Sequence, residues 1–279
     1  MIVFPHAKIN LGLNIVGVRP DGYHDIETVF VPIGYSDALE VILPPEQVEG
    51  GVVWRSAGRE INVPLEKNLC IRALRALQAE VSIPTVGLML NKIIPDGAGL
   101  GGGSSDAAFV LTTLNCLLNL NISSDRLRQI AARIGADCPF FIDGHPVMAS
   151  GIGDVFTPVD VSQLKGLSVV VVVPQGSVST AEAYSNIPCR KPDRHLNEIV
   201  SEPISSWRYS IRNDFEDFVA SHLPDVAAFK QKFYDMGALY AQMSGSGSSV
   251  FAFFPHGDDL PKPDDFPTAR GFWFGELKL

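Results

Sequence analysis

The sequence predicts a mixed α/β protein in two domains. Its length of 279 residues favours two domains over one. A hydrophobic fraction of 46% against 19% charged residues is typical of a globular protein with a substantial core. Alternating apolar residues predict strands in the first third, and the second half alternates between helical and strand-like patterns. A boundary near residues 159–166 gives predicted domains of 1–160 and 161–279.

Strands dominate the first half, and two helices follow a run of glycines. Leucine and isoleucine alternate with other residues over 7–16, which predicts a strand with one apolar face. Further strands are predicted at 27–33, 38–43, 51–54, 86–92, 146–150 and 155–158. Helices are predicted at 68–81, at 107–118, and from the cap-like residues 123–125 to Gly135.

The second half opens with a fully apolar strand at 167–173. Helices are predicted at 180–185, 214–222 and 226–236, and strands at 239–243, 250–254 and 272–274. The segment 187–211 is rich in proline and polar residues, which predicts a long surface connection.

Composition and charge exclude several classes of function. No apolar run reaches the ~18 residues of a membrane-spanning helix, and the first residues lack the basic and apolar parts of a secretory signal. A net charge of −9 argues against a nucleic-acid surface. The four cysteines, Cys70, Cys116, Cys138 and Cys189, show no paired spacing, which favours buried thiols in a reducing cytosol. We therefore predict a cytoplasmic protein without nucleic-acid or membrane partners.

The most informative segment runs from Pro95 to Asp106 and has five glycines between Gly97 and Gly103. It leads into a helical pattern, so its amide N–H groups and the positive end of the helix dipole favour an anion. Phosphate is the expected ligand. The alternative is a flexible turn that binds nothing, which is disfavoured because glycines are entropically costly in a folded chain.

The glycine run matches neither of two familiar nucleotide-binding motifs completely. Gly97, Gly99 and Gly102 satisfy the dinucleotide fingerprint, but Asp125, near the required acidic position, lies where a new helix begins. The spacing also satisfies the Walker A frame, yet its lysine position is occupied by Gly103. The segment therefore indicates phosphate binding outside both families. Local dipoles, a metal ion and a few basic groups would hold the anion, since the chain as a whole is acidic.

Other segments add polar candidates, each with a plain alternative. The segment 243–249 is rich in glycine and serine; it is either a hairpin or a second wall of the phosphate site. Lys8 and Asn10 share the polar face of the first strand, where a solvent-exposed lysine is the ordinary interpretation. A turn at 20–22 presents Tyr23 and His24, which could stack on a base or cover the edge of the core.

A carboxylate and several basic residues complete the set. Asp137 follows a helix end and sits among small and apolar residues, so it is either a functional carboxylate or a capping one. Lys92, Arg126, Arg128 and Arg133 are interpreted as solvated charges at helix surfaces and strand ends.

Taken together, these motifs resemble the GHMP kinases, a family of galacto-, homoserine, mevalonate and phosphomevalonate kinases. Residues 95–108 resemble its second motif and residues 243–249 its third. The segments 8–11, 21–24 and 135–141 are similar to those of members that act on a cytidyl erythritol in the non-mevalonate route to isoprenoid precursors. The resemblance runs from about residue 5 to residue 254 in the same order.

The resemblance implies a two-domain α/β fold of the two-layer α+β kind, with the active site in the cleft between the domains. It implies transfer of the γ-phosphoryl group of ATP to the 2-hydroxyl of the cytidyl erythritol, with Mg²⁺. The residues expected to wrap the ATP phosphates are Pro95, Gly97, Ala98, Gly99, Leu100, Gly101, Gly102, Gly103, Ser104 and Ser105. Candidates for a second phosphate loop are Ser244, Gly245, Ser246 and Gly247. Either Ser104 or Ser105 could contact the metal.

The resemblance also assigns roles at the acceptor. Asp137 is expected to be the general base and Lys8 its charged partner. Four residues, Asn10, Tyr23, His24 and Tyr184, are expected to hold the cytidyl substrate. This agrees with the chemistry, because an alcohol is a weak acid whose proton a carboxylate must accept, and a neighbouring ammonium keeps that carboxylate ionised.

Several alternatives stay open at this point. Another small-molecule GHMP kinase, for homoserine or a sugar, would share the phosphate loops. A nucleotide-binding sensor without catalysis and a dinucleotide-dependent oxidoreductase are less favoured. The expected oligomeric state is a monomer or a homodimer.

Overall fold

The computed structural model describes residues 1–190, 192–257 and 259–277. These form two compact units that interleave along the chain. Unit 1 comprises Met1–Ala7, Ser36–Pro95 and Gly101–Gly144, and unit 2 comprises Lys8–Tyr35, Asp96–Leu100 and His145–Leu279. The sequence-based domains 1–160 and 161–279 are contiguous instead, and that division stays a prediction.

Unit 1 is one sheet covered by helices. Its strands are β1 (Ile2–Val3), β4 (Ala38–Ile42), β5 (Val52–Gly58) and β6 (Val86–Lys92), in the order β1-β4-β6-β5. The β5–β6 pair is parallel and the other pairs are antiparallel. The helices are α1 (Leu69–Gln78), α2 (Gly102–Leu117), α3 (Ser124–Ala132) and α4 (Phe140–Asp143). Apolar residues of the sheet and of α1 to α3 share one buried core.

Unit 2 contains two four-stranded sheets. The first has β2 (His6–Val18), β3 (His24–Ser36), β7 (Val147–Ser150) and β8 (Val155–Pro158), in that order. The second has β9 (Ser168–Pro174), β10 (Tyr240–Met243), β11 (Val250–Phe254) and β12 (Ala269–Glu276), in the order β10-β11-β9-β12 with every pair antiparallel. The helices are α5 (Thr180–Ser185), α6 (Leu196–Ile199), α7 (Ile204–Ser210), α8 (Glu216–His222) and α9 (Asp225–Asp235).

Strand β2 explains why residues 8–35 belong with the C-terminal sheet. The Gly12 N–H donates to Gln242 Oε1 at 2.8 Å, and the Leu13 N–H donates to the Arg212 carbonyl at 2.9 Å. The Ile15 N–H donates to a carboxylate oxygen of Asp214 at 2.7 Å. These bonds join an N-terminal strand to residues some 200 positions later, which local sequence patterns do not reveal.

Most predicted elements are confirmed, and the helix starts follow from their caps. Side chains of Asn68, Ser123 and Ser179 accept hydrogen bonds from the first turns of α1, α3 and α5. Each cap satisfies an amide group that the helix itself leaves without a partner.

Three expectations are wrong. The helix after the glycine run begins at Gly102 and not at residue 107, so the serines lie within its first turn. The segment 187–211 is not a surface connection, because it forms α6 and α7 and buries Trp207 completely. The indole N–H of Trp207 donates to the Glu202 carbonyl at 3.1 Å, and its ring packs edge-on against Tyr240. The thiols of Cys116 and Cys189 are exposed and not buried.

Within the described residues, no helix combines the length and apolar character needed to cross a membrane.

Candidate functional site

The glycine loop of unit 2, residues 96–100, is held through its carbonyl groups. The Ala98 carbonyl accepts from the Ser249 hydroxyl at 2.5 Å and from the Ser249 N–H at 3.1 Å. The Asp96 carbonyl accepts from the Arg270 guanidinium at 3.2 Å, and Arg270 also donates to the Pro174 carbonyl. Arg270 lies in the C-terminal tail, where the sequence offered no motif.

Two further carbonyls of this loop are held by β2 and by the second glycine-serine segment. The Gly99 carbonyl accepts from the Ser244 hydroxyl at 2.9 Å and from the Lys8 ammonium at 3.1 Å. The Leu100 carbonyl accepts from the Lys8 N–H at 2.9 Å. An ideal Cβ on Gly99 would lie 2.0 Å from the Ser244 carbonyl oxygen, so only glycine fits this contact.

The amides of the same loop are left available. Across the part of the chain that the structure describes, the N–H groups of residues 97–100 donate no hydrogen bond to a protein group. Gly97 and Gly99 have φ of +61° and +75°, and backbone that alternates in this way forms concave anion-binding nests. A loop with engaged carbonyls and available amides presents partial positive charge and fits an anion such as a phosphate.

Lys8 and Asn10 are buried, at 3% and 2% exposure, so the interpretation of Lys8 as a solvent-exposed lysine is wrong. The Lys8 ammonium donates to the Asn10 side-chain oxygen and lies 5.0 Å from the centre of the Phe30 ring. The Asn10 side-chain amide donates to the Thr28 hydroxyl at 2.9 Å. The ammonium is therefore held in one place by the groups around it.

In unit 1, the first turn of α2 carries both predicted serines. Gly101 precedes the helix with φ of +70°, and the helix begins at Gly102. The Ser105 hydroxyl is fully buried and has no hydrogen-bond partner in the described chain. The Ser104 hydroxyl bonds to the thiol of Cys138, whose pKa is raised to about 12 by burial.

Asp137 is half-buried in the turn that joins α3 to α4. Its carbonyl accepts from the Phe140 N–H at 3.2 Å, and the residue that directly precedes α4 is Pro139. Through its neighbour Cys138 this turn is linked to Ser104 of α2. Lys8 belongs to unit 2 and Asp137 to unit 1, and their pairing stays a prediction.

Lys92 is the residue that sequence reasoning misread, because it is not a solvated charge. Its ammonium lies 2.6 Å from an Asp37 carboxylate oxygen and 2.8 Å from one of Asp106, and all three side chains are at least 97% buried. One sequence signal for such a pairing was available, because Asp106 is the single charged residue of α2. The expectation is confirmed for Arg126, Arg128 and Arg133, which form ion pairs at the surface.

The charges of these three groups influence each other. Burial raises the pKa of the Asp106 carboxyl to about 8, against the opposing effect of the Lys92 charge. Burial also opposes the charge of Lys92, but the two carboxylates outweigh it and raise the pKa of the ammonium above its usual range.

The four residues expected at the cytidyl substrate lie in unit 2. His24 and Tyr184 pack with ring centres 4.8 Å apart at an angle of 34°, and Tyr184 meets Phe215 edge-on. Tyr23 is 60% exposed and follows the turn that Asp21 caps. The structure therefore places an exposed aromatic, Tyr23, next in sequence to a residue of a tilted ring pair, whereas Asn10 makes internal hydrogen bonds.

The second glycine-serine segment, residues 243–249, is engaged by protein groups. The Ser244 hydroxyl donates to Gly99 and accepts from the Asn10 N–H at 3.0 Å. The Asn213 amide donates to the Met243 and Gly245 carbonyls at 2.9 and 2.8 Å. Ser246 is partly exposed, with its hydroxyl 3.0 Å from that of Thr180. These contacts favour support of the first loop, and direct phosphate binding by this segment stays a prediction.

Comparison with known proteins assigns the family. Residues 68–145 match the family model for the GHMP kinases N terminal domain, and residues 199–262 match that for GHMP kinases C terminal. The chain is 50% identical to the 4-diphosphocytidyl-2-C-methyl-D-erythritol kinase of Parabacteroides distasonis, over 99% of this chain and 100% of that one. It is 48% identical to the enzyme of the same name from Bacteroides fragilis, over 95% and 96%.

The chain belongs to the 4-diphosphocytidyl-2-C-methyl-D-erythritol kinase family of GHMP kinases.

Solved structures agree with this family. A crystal structure of 4-(cytidine 5′-diphospho)-2C-methyl-D-erythritol kinase matches with a TM-score of 0.75 and 32% identity, over 90% of this chain and 89% of that one. A homoserine kinase from Cytophaga hutchinsonii matches with a TM-score of 0.64 at 18% identity, over 98% and 94%, which shows a shared fold. The predicted GHMP kinase fold is confirmed, and the chain is a small-molecule kinase that uses ATP. The oxidoreductase alternative is wrong.

Proposed function

We propose that this kinase transfers the γ-phosphoryl group of ATP to the 2-hydroxyl of 4-diphosphocytidyl-2-C-methyl-D-erythritol, in the non-mevalonate route to isoprenoid precursors. High identity over nearly the whole chain to kinases of that name supports the substrate. The observation that carries the phosphoryl-transfer part is the loop of residues 97–100, whose amides are available while the carbonyls of Ala98, Gly99 and Leu100 are engaged.

The nucleotide half of the proposal rests on backbone groups. Amides of residues 97–100 supply the donors and partial positive charge that a triphosphate needs, without a Walker lysine. Because most carbonyls of the loop already accept hydrogen bonds, it has little freedom to turn those oxygens toward the phosphates. This fixed polarity is the preorganisation that phosphoryl transfer requires.

A magnesium ion would neutralise phosphate charge during transfer. The buried, unpartnered Ser105 hydroxyl and the Ser104 hydroxyl are the protein groups that fit it. No cluster of three or more His, Cys, Asp or Glu side chains suited to a metal occurs in residues 1–190, 192–257 and 259–277.

At the acceptor, Asp137 accepts the proton of the attacking hydroxyl, and Lys8 supplies a fixed positive charge. The burial of Lys8 supports a role beyond solubility, since a buried ammonium is costly unless it is held by acceptors. Tyr23, which is 60% exposed, is proposed to stack on one face of the cytosine ring and Tyr184 on the other. His24, whose ring packs against that of Tyr184, is proposed to bond the edge of the base. The protein is proposed to act in the cytoplasm as a monomer or homodimer, in keeping with its four free cysteines.

The proposal is tested by measuring ADP release with the cytidyl erythritol, homoserine and mevalonate as acceptors. Turnover with the first alone is expected, whereas preference for homoserine or mevalonate would contradict the assigned substrate. Asp137→Asn is expected to lower kcat by about 10²–10⁴-fold, the usual contribution of a general base, with both KM values nearly unchanged. Asp143→Asn, which alters a surface pair with Arg128, is the matched control. Near-normal turnover of Asp137→Asn would remove this carboxylate from the mechanism.

A further inference from the structure

A buried ion cluster contacts the chain segments that precede and follow the glycine loop in the sequence, and the family motifs do not include two of its three members. Lys92 is the last residue of β6, Asp37 lies between β3 and β4, and Asp106 lies in the second turn of α2. The ammonium contacts both carboxylates, at 2.6 and 2.8 Å. We call these three residues the stem triad.

The stem triad holds the chain that leads into the loop. The second oxygen of Asp37 accepts hydrogen bonds from the N–H groups of Ile93 and Ile94, the latter at 2.8 Å. Asp37 therefore fixes the direction in which the backbone leaves β6, while its other oxygen binds Lys92.

The triad also holds the chain that follows the loop. Asp106 links α2 to Lys92, and an ideal Cβ on Gly102 would lie 2.8 Å from the Lys92 ammonium. The first residue of α2 therefore lies directly against this ammonium, and a larger residue there would displace it. The same cluster thus contacts the backbone on both sides of the loop, within unit 1.

Stability alone is a weak reason for such a cluster. Burying ions carries a desolvation cost that often equals or exceeds the attraction between them, and apolar replacements can be as stable. One oxygen of Asp106 has no hydrogen-bond partner in the described chain, so the cluster is not even fully satisfied. What it does provide is a defined spacing between two backbone segments that flank a flexible, glycine-rich loop.

We propose that the stem triad is a positioning group for the nucleotide: it fixes both stems of the glycine loop and thereby sets the affinity for ATP without touching the reacting atoms. The proposal rests on the proposed function of the loop. Fixing the stems lowers the entropy that the loop loses when phosphate binds, which is the general advantage of preorganisation.

The test compares Asp106→Ala with Asp106→Asn in the full chain. The alanine variant cuts the link between α2 and Lys92 but leaves Lys92 paired with Asp37. We expect its KM for ATP and its Kd for adenylyl imidodiphosphate to rise about tenfold, within the range that small misplacements produce. The KM for the cytidyl substrate and the kcat at saturation should both stay within about twofold of the wild-type values. The asparagine variant keeps an oxygen acceptor for Lys92 and should restore nucleotide affinity.

Ile130→Val, a core change in α3 that removes none of the hydrogen bonds or ion pairs of the stem triad, is the control for lost stability. If Asp106→Ala fails to fold, Asp37→Asn is measured in the same way, since it weakens the hydrogen bonds to the segment that precedes the loop. It is expected to raise the KM for ATP and the Kd for adenylyl imidodiphosphate. Unchanged nucleotide binding in the folded variants would overturn the proposal. So would an equal rise in both KM values, or no rescue by asparagine, because each indicates a purely structural role.

The design separates this inference from the proposed function. If the wild type binds adenylyl imidodiphosphate but phosphorylates none of the acceptors, the proposed function fails while the positioning role is still measured by Kd.

Discussion

Two glycine-serine segments of similar composition behave differently in this protein. Residues 96–100 engage their carbonyls and leave the amides of 97–100 available, whereas residues 243–249 use amides and hydroxyls in internal bonds. In the second segment the N–H groups of Ser244, Gly247 and Ser249 all donate to protein carbonyls. The first segment can therefore donate its amide N–H groups to a ligand. The second segment uses most of its polar groups in hydrogen bonds within the protein, several of them to the first segment.

The difference shows that glycine content does not by itself define an anion site. Glycine permits close approach in both segments, yet the direction of the hydrogen bonds decides which one presents donors to a ligand. Ser244 and Ser249 act as donors to the carbonyls of Gly99 and Ala98, and so help to fix the polarity of the first loop.

The largest effect is expected from Gly99→Ala, which disrupts the contact between the two segments. Its Cβ would lie 2.0 Å from the Ser244 carbonyl, at a φ of +75° that alanine adopts only with strain. We expect the KM for ATP to rise by about 100-fold or more, since backbone displacement near 1 Å can cost that much.

Gly97→Ala is the matched control, because its φ is also positive but its Cβ would meet nothing within 4 Å. It should change the KM for ATP by no more than about 30-fold, from backbone strain of about 1–2 kcal/mol. Equal effects at the two positions would show that contact between the segments does not matter.

A smaller effect is expected from Ser244→Ala, which removes one donor to the first loop. It loses the bond to the Gly99 carbonyl and leaves the Asn10 N–H without its acceptor. We expect unfolding free energy to fall by about 1–3 kcal/mol, measured by urea denaturation, because buried groups lose their partners. Ser246→Ala, which is partly exposed, should cost less than about 0.5 kcal/mol. Similar losses in both variants would contradict the supporting role.

The most gradual effect concerns pH, since a buried ion cluster flanks the first loop. The pKa of Asp106 is raised to about 8 in the folded protein. Its contribution to stability is therefore complete below the ordinary pKa of aspartate and is lost as pH rises toward and through 8. Relative to Asp106→Asn, the wild type should therefore lose unfolding free energy as the pH rises from 5 to 8.

Urea denaturation across that pH range checks this difference, with Ser244→Ala as the control that should keep the wild-type pH dependence. Parallel curves for wild type and Asp106→Asn would show that Asp106 is already ionised at pH 5.

Local structure and motif positions were largely predictable. The caps at Asn68, Ser123 and Ser179 and the alternating strands follow from rules that act within a few residues. The start of α2 was missed because glycines and serines have poor helix propensity, which the tertiary setting overrode. The helices within 187–211 were not predicted, because the proline content of this segment indicated a loop and gave no sign that Trp207 is buried.

The sequence by itself determined the family, the two glycine-serine segments and the identity of the candidate residues, because these depend on residue types in a fixed order. Only the tertiary structure decided which groups of each loop face a protein partner, that Lys8 is buried, and that Lys92 lies between two carboxylates. The physical reason is that a hydrogen bond or ion pair across 50 to 200 residues depends on how distant strands and helices pack. No pattern within either segment records that packing.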